Sequence, residues 1–180
     1  GGRAGLLHGA ETEPAFARAL LDAIAGGRRL PGRGGAVVAW PTSAFAAVAG
    51  EAAELEPHLL SAEQSNTSIR FGERLILKIF RRVEAGPNPD LEVGAYLTEV
   101  AGYRHTPPVL GGLEYLPRRG EPWSLGILQA FVPNQGDAWR YTLDAVGAFL
   151  GRAAAPGAGA APAPARAAGL ADPAAAAPPG

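Results

Sequence analysis

The last thirty residues limit what this chain can fold into. From Gly151 to Gly180, Ala, Pro and Gly supply 26 of the 30 residues, and Leu170 is the one large apolar side chain among them. Such a stretch cannot remove enough apolar surface from water to offset the cost of ordering it, about 1–2 kcal/mol per residue for the backbone alone. It is expected to be a disordered tail. Any core must therefore be built from residues before Gly151.

Charge and composition then exclude several classes. Lys and Arg number 16 against 17 Asp and Glu, a net charge of −1 with no basic block, so nothing favours nucleic acid as a partner. The absence of cysteine rules out a disulfide framework, a thiolate metal site and a cysteine nucleophile, and is compatible with a reducing compartment. No apolar run approaches the ~18 residues needed to span a bilayer, and the N-terminus lacks the charged-then-apolar order of a signal peptide. A cytoplasmic protein is expected. The chain begins Gly1-Gly2-Arg3 and has no Met, and is read as a piece of a longer product.

Three parts follow from the pattern: a partial N-terminal α+β cap over 1–60, a second α+β lobe over 61–150, and the tail over 151–180. In the first, Thr12 before Glu13-Pro14 marks a helix start, since Pro is tolerated in a first turn. Phe16, Leu20, Ala23 and Ile24 then recur at helical spacing until Gly26-Gly27. Gly35 to Trp40 reads as a strand, and Ser43 to Val48 as another, on weaker alanine-rich grounds.

In the second part Thr67–Phe71 and Leu75–Phe80 are strand-like runs joined by a turn at Gly72-Glu73-Arg74. Along Leu75–Phe80, Leu75, Leu77 and Ile79 share one face while Ile76, Lys78 and Phe80 share the other. Asn88 suits an N-cap and Pro89 the first helical position, so a helix is expected from Asp90 to about Ala101, ended by Gly102. Strands follow at Val109–Leu116 and Trp123–Val132, with a turn at Arg119-Gly120. A final amphipathic helix from near Asp137 to Leu150 would turn Trp139, Leu143, Val146 and Leu150 inward. Strand, strand, helix, strand, strand is the order of a protein-kinase-like N-terminal lobe: an antiparallel sheet plus one helix.

Lys78 is the first candidate for chemistry. A charge in mid-strand must be paired or face a cleft, and a kinase-like lobe needs such a lysine to hold nucleotide phosphates, with an acid on the next helix to orient it. Glu92 lies fourteen residues on, with Asp90 and Glu99 as rivals. The plainer alternative is a solvated lysine on an edge strand. Ser65, Asn66, Thr67 and Ser68 precede the hairpin without any glycine, matching neither a Walker loop nor GxGxxG. Their hydroxyl, amide and backbone N–H groups could still cradle phosphate, or form an ordinary polar loop. Ala130 and Val132, at the end of the last strand, stand where a kinase hinge would read adenine. His8, His58 and His105 are far apart and form no zinc motif.

Four segments carry a resemblance: Glu63–Ser68, Leu77–Arg82, Gly86-Pro87-Asn88-Pro89-Asp90-Leu91-Glu92, and Phe131–Trp139. In order and spacing they resemble the bacterial maltokinase family, whose members also occur fused to trehalose synthase and have an aminoglycoside-phosphotransferase-like fold. The resemblance covers about 60–150 well and 1–60 loosely. It implies ATP-dependent phosphorylation of maltose to maltose 1-phosphate in trehalose and α-glucan (glycogen) metabolism. It further implies that Lys78 holds the nucleotide phosphates, Glu92 orients Lys78, Ser65, Asn66, Thr67 and Ser68 form the phosphate loop, and backbone around Ala130 and Val132 holds adenine. The catalytic Asp, the Mg2+ ligands and most of the sugar site of such kinases come from a C-terminal lobe, where this chain has only its tail. No catalytic or metal-binding residue is therefore expected within it, and alone it is expected to be inactive. The alternatives are a non-catalytic module that docks on trehalose synthase or on a separate catalytic lobe, and an inert fragment.

Overall fold

A computed structural model describes residues 9–60, 66–134, 136 and 138–154. The tail is expected from Gly151, but Gly151, Arg152 and Ala153 are helical; its residues from 155 onward, Ser65 and the preceding Glu63-Gln64, and Gln135 and Asp137 lie outside the described residues. Those described divide into two compact units, one ending at Pro133 and one beginning at Asn134.

The first unit is α+β, with a seven-stranded antiparallel sheet larger than the one expected. Its strands are β1 (Arg29–Pro31), β2 (Gly35–Pro41), β3 (Pro57–Leu60), β4 (Asn66–Phe71), β5 (Leu75–Phe80), β6 (Val109–Pro117) and β7 (Trp123–Ala130). They lie in the order β1-β2-β6-β7-β5-β4-β3. The β4–β5 hairpin has the anticipated turn, with Phe71 opposite Leu75 and Gly72 at φ +53°, a backbone conformation that glycine adopts without steric cost.

Each sheet face has its own core. The larger one packs Ile69, Phe71, Leu75, Leu77 and Leu128 with Leu21 and Ile24 of helix α1 (Pro14–Ala25) and with Phe45. The smaller one packs Phe80, Val109 and Ile127 with Leu91 of helix α3 (Pro89–Glu99). The period-two split of β5 is thus realised: Leu75 and Leu77 point to the first core and Phe80 to the second.

Ser43 to Val48 is not a strand. Ser43–Ala47 is a 3-10 helix, followed by a one-turn helix α2 (Ala49–Ala52). Alanines contribute little to strand formation, and a distant contact supplies the alternative. The Glu99 carboxylate accepts hydrogen bonds from the Ser43 N–H and hydroxyl at 3.0 and 2.8 Å, capping the first turn. Arg18 on α1 donates to the carbonyls of Ala52 and Leu55, satisfying the other end.

Helix α3 starts where the sequence places it. Asn88 Oδ1 accepts from the Asp90 N–H at 2.9 Å, with Pro89 in the first position. The chain leaves after Glu99 through Gly102 at φ +59°. Asn88 is also held by its own N–H, which donates to the buried Ser124 hydroxyl at 3.0 Å. Asn88→Ala should therefore cost about 1 kcal/mol, the typical loss of an N-cap side chain, read as a lower urea midpoint with unchanged slope. A midpoint equal to that of the native chain would show that the cap contributes nothing.

The second unit contains helix α4 (Ala138–Ala153), braced by an Arg140–Asp144 pair at 3.3 Å one turn apart. Trp139, Leu143, Val146 and Leu150, expected to face inward, are all exposed. A helix buries an apolar stripe only against another element, and among the described residues of this unit α4 has none. No helix of the described residues is long and apolar enough to cross a membrane.

Candidate functional site

Lys78 lies on β5, which has β4 on one side and β7 on the other, so its strand is internal and not an edge. Its direct cross-strand neighbours are Ser68 and Ile127. It is partly buried and is the only lysine in the chain, every other basic side chain among the 16 being arginine. No ion pair within 4 Å involves it among the described residues. A mid-sheet ammonium left without an anion is placed to receive one.

It opens onto a groove of about 510 Å³ between the sheet and α3. Asp90, Val93 and Leu97 line one side, Thr106 and Pro107 another, and Gln129 and Ile127 the sheet floor. Apolar walls with a few convergent polar groups, at a volume within the ~300–1,000 Å³ of small-molecule sites, give this groove the character of a ligand site.

The other sequence candidates are distributed unevenly around it. Asp90 and Glu92 are both exposed, and of the two only Asp90 lines the groove. Leu91 faces the sheet, and at ~100° per residue Asp90 and Glu92 project to opposite flanks of it. The Asp90 flank borders the groove. Glu99 is engaged with Ser43 instead.

Asn66, Thr67 and Ser68 belong to the β4 ladder, paired with Phe80, Ile79 and Lys78 in turn. Thr67 points to the face away from Lys78, and its hydroxyl oxygen accepts from Arg81 Nε at 3.1 Å. Ser68 shares the Lys78 face, fully buried, its Oγ without a hydrogen-bond partner. Of this stretch, then, only Ser68 and Asn66 are on the lysine's side.

Ala130 ends β7, and its N–H donates to the Pro108 carbonyl at 3.0 Å, while the Phe131 N–H donates to that of Arg74 at 2.8 Å. Both donors are engaged within the fold. Val132 follows, 53% exposed.

Thr106 and Pro107 line the groove without being sequence candidates, and Gln129, which opens the expected hinge stretch before Ala130, lines it with its side chain. The signal for the first two was Pro107-Pro108, which forces an extended approach to β6 beside α3; the signal for Gln129 was a polar residue in an apolar strand. Arg70, on the Lys78 face of β4, was also passed over. It pairs with Glu73 at 2.9 Å, stacks 5.4 Å over the Phe131 ring, and has a buried Nε without a partner. Among the described residues no three His, Asp or Glu side chains gather as a metal cluster. No protein-family model matches the chain.

Proposed function

We propose that this chain is the nucleotide-binding lobe of a kinase-like phosphotransferase, with the maltokinase resemblance naming the reaction of the parent protein: transfer of the ATP γ-phosphoryl group to maltose. One observation carries the reading. The sole lysine of the chain stands partly buried on an internal strand, facing a groove. Counting from Pro57, that strand is the third of five, and a helix follows it before the last two. This is the position at which protein kinases carry their phosphate-binding lysine.

The residues fit the phosphate end of ATP better than its base. Lys78 would hold the phosphate oxygens, with Gln129 and Thr106 as further polar contacts in the groove. Adenine recognition at the Ala130 N–H would compete with its existing bond to the Pro108 carbonyl. Magnesium arriving with the nucleotide would neutralise charge on the phosphoryl group. We assign no catalytic residue within the chain. The acceptor sugar and the group that orients its hydroxyl would be supplied from outside it, whether by another lobe or by a trehalose synthase partner, in the cytoplasm.

A single lysine gives a direct test. An amine-reactive acetylating reagent can modify only Lys78 and the N-terminal amine, and mass spectrometry of the Lys78 peptide reads its occupancy. Millimolar ATP with magnesium should protect Lys78, and adenosine should not. Lys78→Ala should weaken ATP binding about 10–100-fold, the equivalent of the ~1.5–3 kcal/mol of a charge-assisted hydrogen bond. Equal acetylation with and without ATP, together with unchanged binding in the variant, would end the proposal.

A further inference from the structure

We infer that Asp90, two residues before the acid that motif spacing selects, is the positioning residue for Lys78. This rests on the kinase-like reading for its purpose, but on the fold for its geometry. Of the residues that line the groove, Lys78 and Asp90 are the two that carry charge, one on the sheet and one on the helix. Glu92 is roughly 150° around α3 from the middle of the groove-lining flank formed by Asp90, Val93, Gly94 and Leu97, taking ~100° per residue.

Two anchors prevent the helix from rotating to exchange these acids. Leu91 is 3% exposed and locked into the smaller core with Val109 and Ile127. Gly94 lies so close to β6 that a Cβ there would meet the Val109 side chain at 2.7 Å. Turning Glu92 toward Lys78 would lift Leu91 out of that core. Asp90 is further fixed from below, since its N–H is held by Asn88 Oδ1.

Asp90 and Lys78 lie on the same groove without an ion pair within 4 Å. The four-carbon lysine stem therefore provides the reach and the short aspartate the direction. An ammonium drawn toward Asp90 on one side still has donors for a phosphate oxygen on the other, because it carries three. Asp90 acts through Lys78 and touches no reacting atom.

The lone lysine again isolates the readout. A chain grown with 13C-lysine gives one lysine ε-CH2 correlation in a proton–carbon spectrum. Asp90→Asn should displace it and Glu92→Gln should leave it in place, with Asp90→Glu restoring most of the native position. In ATP titrations Asp90→Asn should weaken binding about 5–10-fold in the native background and not at all in Lys78→Ala, a coupling that a merely structural role would not produce. A displaced signal in a chain that binds no ATP would uphold the pairing and remove the kinase reading. A signal moved by Glu92→Gln and not by Asp90→Asn, or equal weakening in both backgrounds, would overturn the inference.

Discussion

Phe71→Ala is expected to destabilise the first unit by about 3–5 kcal/mol, the usual loss when a buried phenylalanine is cut to alanine. Phe71 has no exposed surface and sits on β4 in the larger core, where sheet residues meet Leu21 and Ile24 of α1. Its removal deletes transfer energy and leaves a hole that three packed elements must close on together. Native domains are stable by only ~5–15 kcal/mol, so this one change removes at least about a fifth of the total. Urea denaturation followed by tryptophan fluorescence should show a much lower midpoint. Phe80→Ala should lose less, since Phe80 is 8% exposed and belongs to the smaller core. A loss below about 1 kcal/mol for Phe71→Ala would mean that the core has been placed on the wrong face.

The parts of this fold legible in the sequence were those whose structure is decided within a dozen residues. The β4–β5 hairpin, the alternation along Leu75–Phe80, the Asn88-Pro89 helix start and the Gly102 exit all rest on local chemistry: turn glycines, period two, one side-chain cap. The misread segment, Ser43 to Val48, is decided by Glu99, 56 residues away. The short strands β1 and β3 escaped notice because they lie at the two edges of the sheet, with β1 exposed throughout and β3 partly so. Neither carries the apolar alternation that marks a strand buried on one face, and only the partners β2 and β4 make them strands.

The site divides along the same line. That Lys78 is unusual could be read from its apolar neighbours, but whether its strand was internal depended on β7, which pairs Ile127 against it from 49 residues downstream. Spacing along the chain offered Asp90, Glu92 and Glu99 as partners without ranking them by direction. Direction around a helix is set by which side chain is buried, and Leu91 was one of several apolar residues on α3 that could have been it. Val93 and Tyr96 on the same helix are exposed instead.

Two consecutive glycines explain how both helices come so near the sheet, and they give the other large effect. Gly111 and Gly112 lie mid-strand on β6 and open onto opposite faces. A Cβ on Gly111 would stand 2.5 Å from Ile24 Cγ2 of α1 and 2.5 Å from the Trp40 carbonyl oxygen; one on Gly112 would meet the Trp40 ring at 2.7 Å and Leu91 of α3 at 3.1 Å. A glycine inside a strand ordinarily forfeits ~0.5–1 kcal/mol relative to alanine, so substitution would help if space allowed. Here it does not. At Gly111 the obstacle includes β2 backbone, which cannot turn aside, and a fully buried Ile24. Gly111→Val should therefore destabilise by about 3 kcal/mol, the upper end of the usual range for overpacking, and push α1 away from the sheet. Gly112→Ala meets only side chains, one of them the partly buried Trp40 ring, so its loss should be smaller, but it displaces Leu91 and with it the flank of α3 that carries Asp90. The two variants should thus separate: Gly111→Val lowers the urea midpoint most, while Gly112→Ala shifts the single 13C-lysine signal of Lys78 more per unit of stability lost. Equal midpoints for Gly111→Val and the native chain would show that α1 is not seated over β6, and a Lys78 signal indifferent to Gly112→Ala would show that α3 does not shape the groove.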